Sequence, residues 1–343
     1  EHLQFVFMTG VTKFSKVSLF SGLNQLDDIT LDERYATLCG YTQQDLETTF
    51  ASHLAGVDWE QLKFWYNGYR FLGEPVYNPF DILRFISKGL SFRSYWFETG
   101  SPSFLIELFQ QRRYFLPDLE AIEVDEQILD AFDVERINPV TLLFQTGYLT
   151  IDSTVESPGG GELMFRLRVP NHEVRMALNN QFIEAFTGIA ETRGQLKRGL
   201  YDCLTRGDLP GLVALFRRVF AAIPWRNFTQ NDLAEAEGYY ASVLYAFFAS
   251  LNAEITPEDI TNHGQVDMTV RLAGYTYVIE IKVNRGKATA GDSDANPALE
   301  QIQQRRYSEK YRGEPGQGLF ELGLVFDAKA RNLAQANWRQ IDP

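Results

Sequence analysis

The chain has 343 residues, of which 45% are hydrophobic, and this is enough for two or three domains with packed cores. It contains no run of about 18 apolar residues and no secretory leader, so neither a membrane-spanning helix nor export is predicted. The net charge of −13 argues against a general nucleic-acid coat protein, because such proteins gain most of their affinity by neutralising phosphates.

The negative charge is concentrated in the N-terminal part of the chain. Residues 1–140 contain 21 acidic and 11 basic side chains, which favours a regulatory or protein-binding module over one that grips DNA. Phe5–Met8 is predicted to be a strand, and the region up to residue 135 is otherwise predicted to be rich in helices, with turns at Asn67-Gly68 and Asn78-Pro79. The two cysteines and four histidines match no metal-binding spacing, so we expect reduced thiols, a cytoplasmic location and no zinc site.

Residues 136–180 combine two short strands with a helix on either side. The predicted helix Pro139–Phe144 is followed by strands Tyr148–Ile151 and Leu163–Val169, with a turn at the sequence SPGGGE between them. A second helix is predicted to begin after Pro170-Asn171. Two strands around a glycine-rich turn resemble the wing of a winged-helix domain, which can bind DNA or pack against a neighbouring domain.

A helical linker, residues 181–224, is predicted to lead into a C-terminal domain, residues 225–343. The clearest pattern in that domain is a β-hairpin. Residues 266–272 and 277–283 both alternate apolar and polar side chains, which is the period of half-buried strands. The link between them is short and contains Gly274, so a tight turn is expected.

The position of the turn decides which side chains face one another. With Ala273-Gly274 as the turn, Asp267 lies opposite Glu280, whereas with Gly274-Tyr275 it lies opposite Lys282. Both registers put the three charged side chains on one face, because directly opposed residues share a face, and like charges so close are destabilising. A hard divalent cation, Mg²⁺ or Mn²⁺, would offset that repulsion through oxygen ligands. The arrangement suits a metal-dependent phosphodiesterase in which the lysine stabilises the phosphate or orients the attacking water; the alternative is a hairpin with a charged, solvent-facing surface.

The segments that flank the hairpin add further candidates. Residues 235–251 are predicted to form an amphipathic helix, with Glu237 on the buried face of its first turn. Asn296-Pro297 is a typical helix start, and the helix that it opens carries Gln301. The apolar run Leu319–Phe326 indicates a buried strand, which gives the order helix, strand, strand, helix, strand. Basic side chains that could contact phosphates, or simply form a solvated surface, surround the predicted site: Arg271, Lys282, Arg285, Lys287, Arg305, Arg306 and Lys310.

Four C-terminal motifs resemble those of the PD-(D/E)xK nuclease superfamily: EGYYASVLYAFF, GQVDMTV, YVIEIKV and ALEQIQQRRYSEKY. More narrowly, they look like the nuclease-like domain at the C-terminus of bacterial AAA-ATPase-like proteins. The resemblance implies a mixed α/β protein that ends in an αβββαβ restriction-endonuclease-like domain. It also implies Mg²⁺ or Mn²⁺ as the cofactor and DNA or RNA as the substrate.

The same resemblance implies roles for individual residues. Metal binding is expected of Asp267 and Glu280, and a catalytic role of Lys282. Glu237 is expected to support the metal or to orient water, and Gln301 to act as an accessory catalytic residue. Many relatives carry a basic residue between the glycine and the aspartate, where this chain has Gln265 and Val266, so the grip on the substrate can differ.

The N-terminal half resembles the later part of the AAA-ATPase-like module, through the motifs VFMTGVTKFSKVSLFSGLNQLDD, ATLCGYT, WYNGYRF, VYNPFDIL, FQTGYLTI and RVPNHEV. Residues 1–135 are assigned by this resemblance to the C-terminal part of the ATPase-like domain. The sequence G-x-x-x-x-G-K-[ST] does not occur, so we expect the phosphate-binding half to be missing and ATP to bind only a longer form that has a P-loop. Two functions stay open: a metal-dependent nuclease fused to a truncated ATPase-like regulatory module, or a non-catalytic, ATPase-derived scaffold that binds nucleic acid or a partner protein.

Overall fold

A computed structural model describes residues 5–7, 27–96, 116–120, 122–129, 138–156, 163–189, 193–224, 236–286 and 295–341. The chain divides into two compact units, of which the first comprises Glu1–Phe109 and Leu119–Arg175, and the second Gln110–Asp118 and Met176–Pro343. Helices and strands occur in both, so the predicted mixed α/β class is confirmed.

The first unit is built from short elements. Its α-helices are α1 (Gln43–Thr48), α2 (Trp59–Tyr66), α3 (Pro79–Ser87), α4 (Glu126–Leu129) and α5 (Pro139–Gln145). Its strands are β1 (Asn67–Tyr69), β2 (Val76–Tyr77), β3 (Ile122–Asp125), β4 (Thr150–Glu156) and β5 (Leu163–Arg168). Strand β1 pairs with β2, and β5 lies between β3 and β4 in a three-stranded antiparallel sheet. A 3₁₀ helix covers Glu33–Tyr35.

The second unit contains longer helices and a larger sheet. Its α-helices are α6 (His172–Thr187), whose first residues are counted with the first unit, α7 (Arg193–Leu204), α8 (Leu209–Ala222), α9 (Glu237–Ser250) and α10 (Pro297–Gln304). Its strands are β6 (Glu254–Thr261), β7 (Gly264–Leu272), β8 (Tyr275–Asn284), β9 (Gly318–Asp327) and β10 (Asn332–Ile341). Two further 3₁₀ helices cover Leu116–Glu120 and Tyr307–Tyr311.

Two local predictions for the first unit need correction. The Asn67-Gly68 pair is not a turn but part of β1, where the pairing with β2 is irregular. Gly68 has a φ of 136° there, and a side chain at this position would overlap the carbonyl oxygen of Pro170, so glycine is required by a close approach of two backbones. Residues 5–7 lie exposed outside any strand, although Phe5–Met8 reads as one, and Met8 lies outside the described residues.

A pair of buried carboxyl groups lies in the first unit. Asp81 of α3 and Glu173 are both fully buried. Among the described residues, neither oxygen of Asp81 has a hydrogen-bond donor. Oε1 of Glu173 accepts the backbone N–H groups of Tyr95 and Trp96, and these two contacts stabilise the ionised form of Glu173, whereas Asp81 has no such support. Burial, followed by the charge of Glu173, raises the pKa of Asp81, and burial raises the pKa of Glu173.

We therefore expect the first unit to lose stability as the pH rises above about 4, where aspartate ionises in the unfolded chain. Each of the two carboxyls that keeps its proton in the folded state lowers the free energy of unfolding by about 1.4 kcal/mol per pH unit, so the pair lowers it by at most about 2.7 kcal/mol per pH unit. Asp81→Asn mimics the protonated group and should remove the contribution of Asp81 to this slope. Calorimetric melting of the two proteins between pH 5 and pH 8 measures it: the wild type should lose stability relative to the variant as the pH rises.

The exposed Asp27 supplies the matched control for this measurement. Asp27→Asn should melt in parallel with the wild type across the whole range. A difference between wild type and Asp81→Asn that stays constant from pH 5 to pH 8 would show that Asp81 holds no proton in the folded state.

The second unit is organised around one five-stranded sheet with the order β10-β9-β8-β7-β6. Within this sheet the central strand β8 pairs in parallel with β9, the other three pairs are antiparallel, and the crossover between β8 and β9 contains α10. The strands predicted at 266–272, 277–283 and Leu319–Phe326 correspond to β7, β8 and β9. The edge strands β6 and β10 did not stand out in the sequence, because edges exposed on one side carry a weaker hydrophobic pattern.

Helices cover both faces of this sheet. On one face, Phe220 of α8 and Tyr240 of α9 pack against Phe326 of β9, with ring centroids 4.7 and 4.1 Å apart. On the other face, α10 and the 3₁₀ helix Tyr307–Tyr311 pack against β7, β8 and β9. Helix α9 differs from the amphipathic prediction: its residues 239–250 are all buried, because the helix is enclosed on every side.

Among the described residues, no helix is both long enough and apolar enough to cross a membrane. Cys39 and Cys203 are free thiols. The predicted wing turn at residues 157–162 and the predicted start of the C-terminal domain at residue 225 lie outside the described residues.

Candidate active site

The β7–β8 hairpin places the predicted carboxylates at its open end. Ala273 and Gly274 form the turn, and both have a positive φ, as a two-residue type I′ turn requires. The paired residues run from Leu272 opposite Tyr275 to Met268 opposite Ile279. This is the first of the two registers considered above, the one that directs Asp267 toward Glu280.

Beyond the Met268–Ile279 pair, the carboxylates replace the regular pairing between the strands. Oδ2 of Asp267 accepts the backbone N–H of Ile281 at 2.6 Å. Oε2 of Glu280 lies 3.4 Å from the backbone nitrogen of Asp267. Each carboxylate thus contacts the backbone of the other strand, which fixes both side chains at the point where the ladder ends.

Glu280 is the most buried of the predicted site residues, with 2% of its side chain exposed. Its Oε1 accepts two hydrogen bonds, from Lys282 Nζ at 2.7 Å and from Gln301 Nε2 at 2.5 Å. Among the described residues, the long contact to the Asp267 backbone is the one that reaches Oε2, so this oxygen keeps most of its capacity to accept.

Crowded negative charge dominates the electrostatics of the site. Burial, followed by the charge of Asp267, raises the pKa of Glu280 to about 7. Burial likewise raises the pKa of Asp267, against the opposing effects of the Ile281 N–H and of Lys282. Burial by itself would lower the pKa of Lys282, but its hydrogen bond and charge interaction with Glu280 raise that pKa instead. Because the ionised forms of both groups are disfavoured, a cation bound between them would stabilise the site.

Helix α10 brings Gln301 to Glu280. The helix begins as predicted, with Oδ1 of Asn296 accepting the N–H groups of Ala298 and Leu299 at 3.0 Å. Its first turn lies directly on β9 at Gly323, where any side chain would overlap the backbone nitrogen of Leu299. Gly323 pairs with Glu280 in the parallel ladder, so the close approach at this glycine sets the distance between Gln301 and Glu280.

Gly323 is a residue that the sequence analysis missed. A glycine inside an otherwise apolar strand signals either a bulge or a close backbone approach. The run Leu319–Phe326 contained that signal, but the sequence did not indicate which element would approach the backbone of this strand.

Glu237 also lies near the end of β8, although its contact is different. It is half-buried in the first turn of α9, and its Oε1 lies 3.3 Å from the backbone nitrogen of Val283. Its charge contributes to raising the pKa values of Asp267 and Lys282, but among the described residues no hydrogen bond joins it to either side chain. The structure therefore brings Asp267, Glu280, Lys282 and Gln301 into one network, with Glu237 beside it.

The side chains of the site can be judged as ligands for a metal ion. Among the described residues, no three carboxylate, histidine or cysteine side chains come together in a way that could hold a metal. Asp267 and Glu280 provide two carboxylates, and Mg²⁺ is commonly bound by one or two carboxylates together with water and substrate oxygens. The site therefore fits a hard, oxygen-preferring ion and lacks the nitrogen and sulfur ligands that zinc prefers.

Most of the basic side chains predicted around the site are engaged in ion pairs. Lys310 Nζ contacts the buried Asp259 at 2.5 Å, and the same carboxylate accepts from Thr269 and Tyr311, which ties the 3₁₀ helix to β6 and β7. Arg271 pairs with Glu314 at 3.0 Å, and Arg306 with Glu309 at 3.7 Å. Lys287 lies outside the described residues. Among the described residues, Arg305 contacts the backbone oxygen of His263 at 3.4 Å, which leaves most of its donors for a ligand.

Comparisons with known proteins agree with this geometry. A family model of the PD-(D/E)XK nuclease superfamily matches residues 235–336. A protein of Azotobacter chroococcum mcd 1, described as "Uncharacterized protein in vnfD 5'region", is 44% identical over 336 residues. The match covers 97% of this chain, which spans 62% of the length of that relative. Residues 235–336, which contain α9, strands β6 to β9 and the carboxylate network, therefore form a domain of the PD-(D/E)XK nuclease superfamily.

Proposed function

We propose that the C-terminal domain hydrolyses phosphodiester bonds of DNA or RNA with the help of Mg²⁺ or Mn²⁺. The main support is the pair of adjacent carboxylates, Asp267 and Glu280, with the ammonium group of Lys282 2.7 Å from Glu280. PD-(D/E)XK nucleases typically use divalent metals, and two oxygen ligands beside a lysine suit that chemistry.

Asp267 and Glu280 would hold the cation, the latter through Oε2. A divalent cation in that position supplies Lewis-acid polarisation of a phosphoryl oxygen. Gln301 keeps Glu280 in one orientation by donating to Oε1. The two backbone contacts between β7 and β8 hold both carboxylates before any ligand arrives, so little reorganisation is needed at the moment of reaction.

Lys282 would act on the phosphate. Its ammonium group pairs with Glu280, and this pair would weaken if Glu280 also held a cation. The nearest new anionic partner is a phosphoryl oxygen of the substrate, where the lysine would stabilise the charge that develops during attack by water. Glu237, whose carboxylate faces the end of β8, would orient that water or support the cation from the side.

The N-terminal region is proposed to be the C-terminal part of an AAA-ATPase-like module (residues 1–135), followed by a winged-helix-like segment (136–180) and a helical linker (181–224). Six sequence motifs support this assignment, together with helix α5 and strands β4 and β5 at the position of the proposed wing. ATP would bind only a longer form with a P-loop. The excess of acidic residues before position 140 supports a protein partner for this region, and the free thiols support a cytoplasmic location.

Binding of the metal can be measured without any substrate. We expect Mg²⁺ or Mn²⁺ to raise the melting temperature of the full chain, since an ion at 100 times its Kd contributes about 2.7 kcal/mol to stability. Glu280→Gln should remove the shift. Glu254→Gln, a change at an exposed carboxylate on β6, should preserve it.

Catalysis is then tested with labelled single- and double-stranded DNA and RNA, in Mg²⁺ or Mn²⁺ and in EDTA. Cleavage that requires the metal and disappears in Glu280→Gln supports the nuclease. Metal binding without cleavage of any of these substrates would contradict catalysis by this chain alone. Absence of both metal binding and cleavage would favour the non-catalytic scaffold.

A further inference from the structure

A polar pocket opens beside the carboxylate network. Its volume is about 430 Å³, and it lies between α10 and the turn that joins β6 to β7. Glu300, Gln301 and Gln304 form the helix wall, because residues four positions apart lie on one face of a helix. Gly264 and Tyr307 form the opposite wall.

The pocket is joined to the candidate active site through a shared side chain. Gln301 lines the pocket, and its Nε2 donates to Oε1 of Glu280 at 2.5 Å. The same nitrogen lies 3.5 Å from the hydroxyl of Tyr307 on the opposite wall. A group in this pocket would therefore lie one side chain away from the carboxylates.

The charges around the pocket decide what can fill it. Arg305 contributes one positive charge and Glu300 one negative charge, so a phosphate gains little from entering. Gln304 offers both a donor and an acceptor. The amide nitrogen of Gln301 is committed to Glu280, which leaves its carbonyl oxygen for a ligand. Mixed donors and acceptors without net charge match the edge of a nucleobase, which carries amino, carbonyl and ring-nitrogen groups.

A base can enter such a pocket only when it is unpaired. Within a duplex, a base is stacked on both faces and paired along its edge, and extruding it costs a few kcal/mol. A single strand avoids that cost. The volume lies within the range of about 300–1,000 Å³ that is typical of small-ligand pockets, which is large enough for one nucleoside.

We propose that this pocket holds one unpaired nucleobase next to the bond that is cleaved, so that the substrate is single-stranded nucleic acid. This inference rests on the proposed nuclease function. Arg305, at the rim, would contact the phosphate that follows the bound base, since its contact with the His263 carbonyl oxygen is long and leaves other donors available.

Binding can be tested apart from cleavage. Fluorescence anisotropy in EDTA, at one fixed salt concentration, compares a short labelled single-stranded oligonucleotide with the same sequence as a duplex. The full chain should bind the single strand more tightly. Gln304→Ala should weaken that binding about three- to tenfold, the usual effect of losing one hydrogen-bonding side chain. Gln303→Ala, the same change at the neighbouring exposed residue of α10 outside the pocket, should leave the affinity unchanged.

Cleavage gives a second measurement in the presence of metal. Single bases are removed from the labelled strand, one position at a time. Each removal should slow cleavage of the bond at one fixed distance from the missing base. In Gln304→Ala, the cleavage rate should no longer depend on the position of the missing base. Equal binding of single strand and duplex, together with no effect of Gln304→Ala, would show that the pocket does not bind a base, and this result would leave metal-dependent cleavage unaffected. Single-strand binding that depends on Gln304 without any cleavage would support the pocket and overturn the nuclease. Neither binding nor cleavage would overturn both.

Discussion

Replacing Lys282 with alanine is expected to reduce metal-dependent cleavage by about 10²–10³-fold, the usual loss when one group that stabilises transition-state charge is removed. Metal binding should survive, because the lysine competes with the cation for Glu280 and is not itself a ligand of the cation. The orientation of Glu280 should also survive, since Gln301 still donates to Oε1. Calorimetric titration with Mg²⁺ or Mn²⁺ and single-turnover cleavage measure the two properties separately.

Lys329, exposed after the end of β9, provides the matched control. Lys329→Ala should cleave like the wild type. If Lys282→Ala cleaves normally, the lysine serves only as the structural partner of Glu280. If the variant instead loses metal binding together with its fold, the ion pair has a structural role and the assignment to catalysis is wrong.

Asp267→Asn should abolish cleavage and weaken metal binding by at least about a hundredfold, since even residues that only support a metal ligand typically contribute 10–100-fold. Asparagine is preferred to alanine because its carbonyl oxygen can still accept the N–H of Ile281. Alanine would leave that buried N–H unpaired, at a cost of about 1–3 kcal/mol. The melting temperature of the metal-free asparagine variant should equal or exceed that of the wild type, because one of two crowded negative charges is gone.

The test combines thermal melting with metal titration. Asp202→Asn, on the exposed surface of α7, controls for the general effect of losing one negative charge. Retention of full metal affinity by Asp267→Asn would exclude this carboxylate as a ligand. A large fall in the melting temperature of the metal-free protein would show that Asp267 holds the hairpin together rather than a cation.

The local part of the candidate site could be predicted from the sequence, because it depends on short-range rules. Period-2 alternation and a glycine turn limited the hairpin to two registers, and the geometry of the Ala273-Gly274 turn selected one of them. Asn296-Pro297 marked the start of α10 correctly, since capping involves only neighbouring residues.

Contacts between distant segments could not be predicted in this way. The enclosure of α9 and the burial of Asp81 near Glu173 both depend on partners far away in the sequence. A sequence pattern gives the face on which a residue lies but not what covers that face. The pairing of Lys310 could not be predicted for the same reason: Lys310 is a surface cation by pattern, yet its partner is the buried Asp259.

The close approach at Gly323 has a consequence for recognising active relatives. A homologue with alanine at this position would keep every carboxylate, lysine and glutamine of the motif, and an inspection of motifs would count it as an intact nuclease. Its α10 would nevertheless have to move outward to make room for a methyl group beside Leu299, and the glutamine would lose its reach to Glu280. Degenerate members of such a family can therefore differ from working ones at a residue without any functional group. Small residues in the strand that pairs with the Glu280 strand belong among the criteria for separating the two.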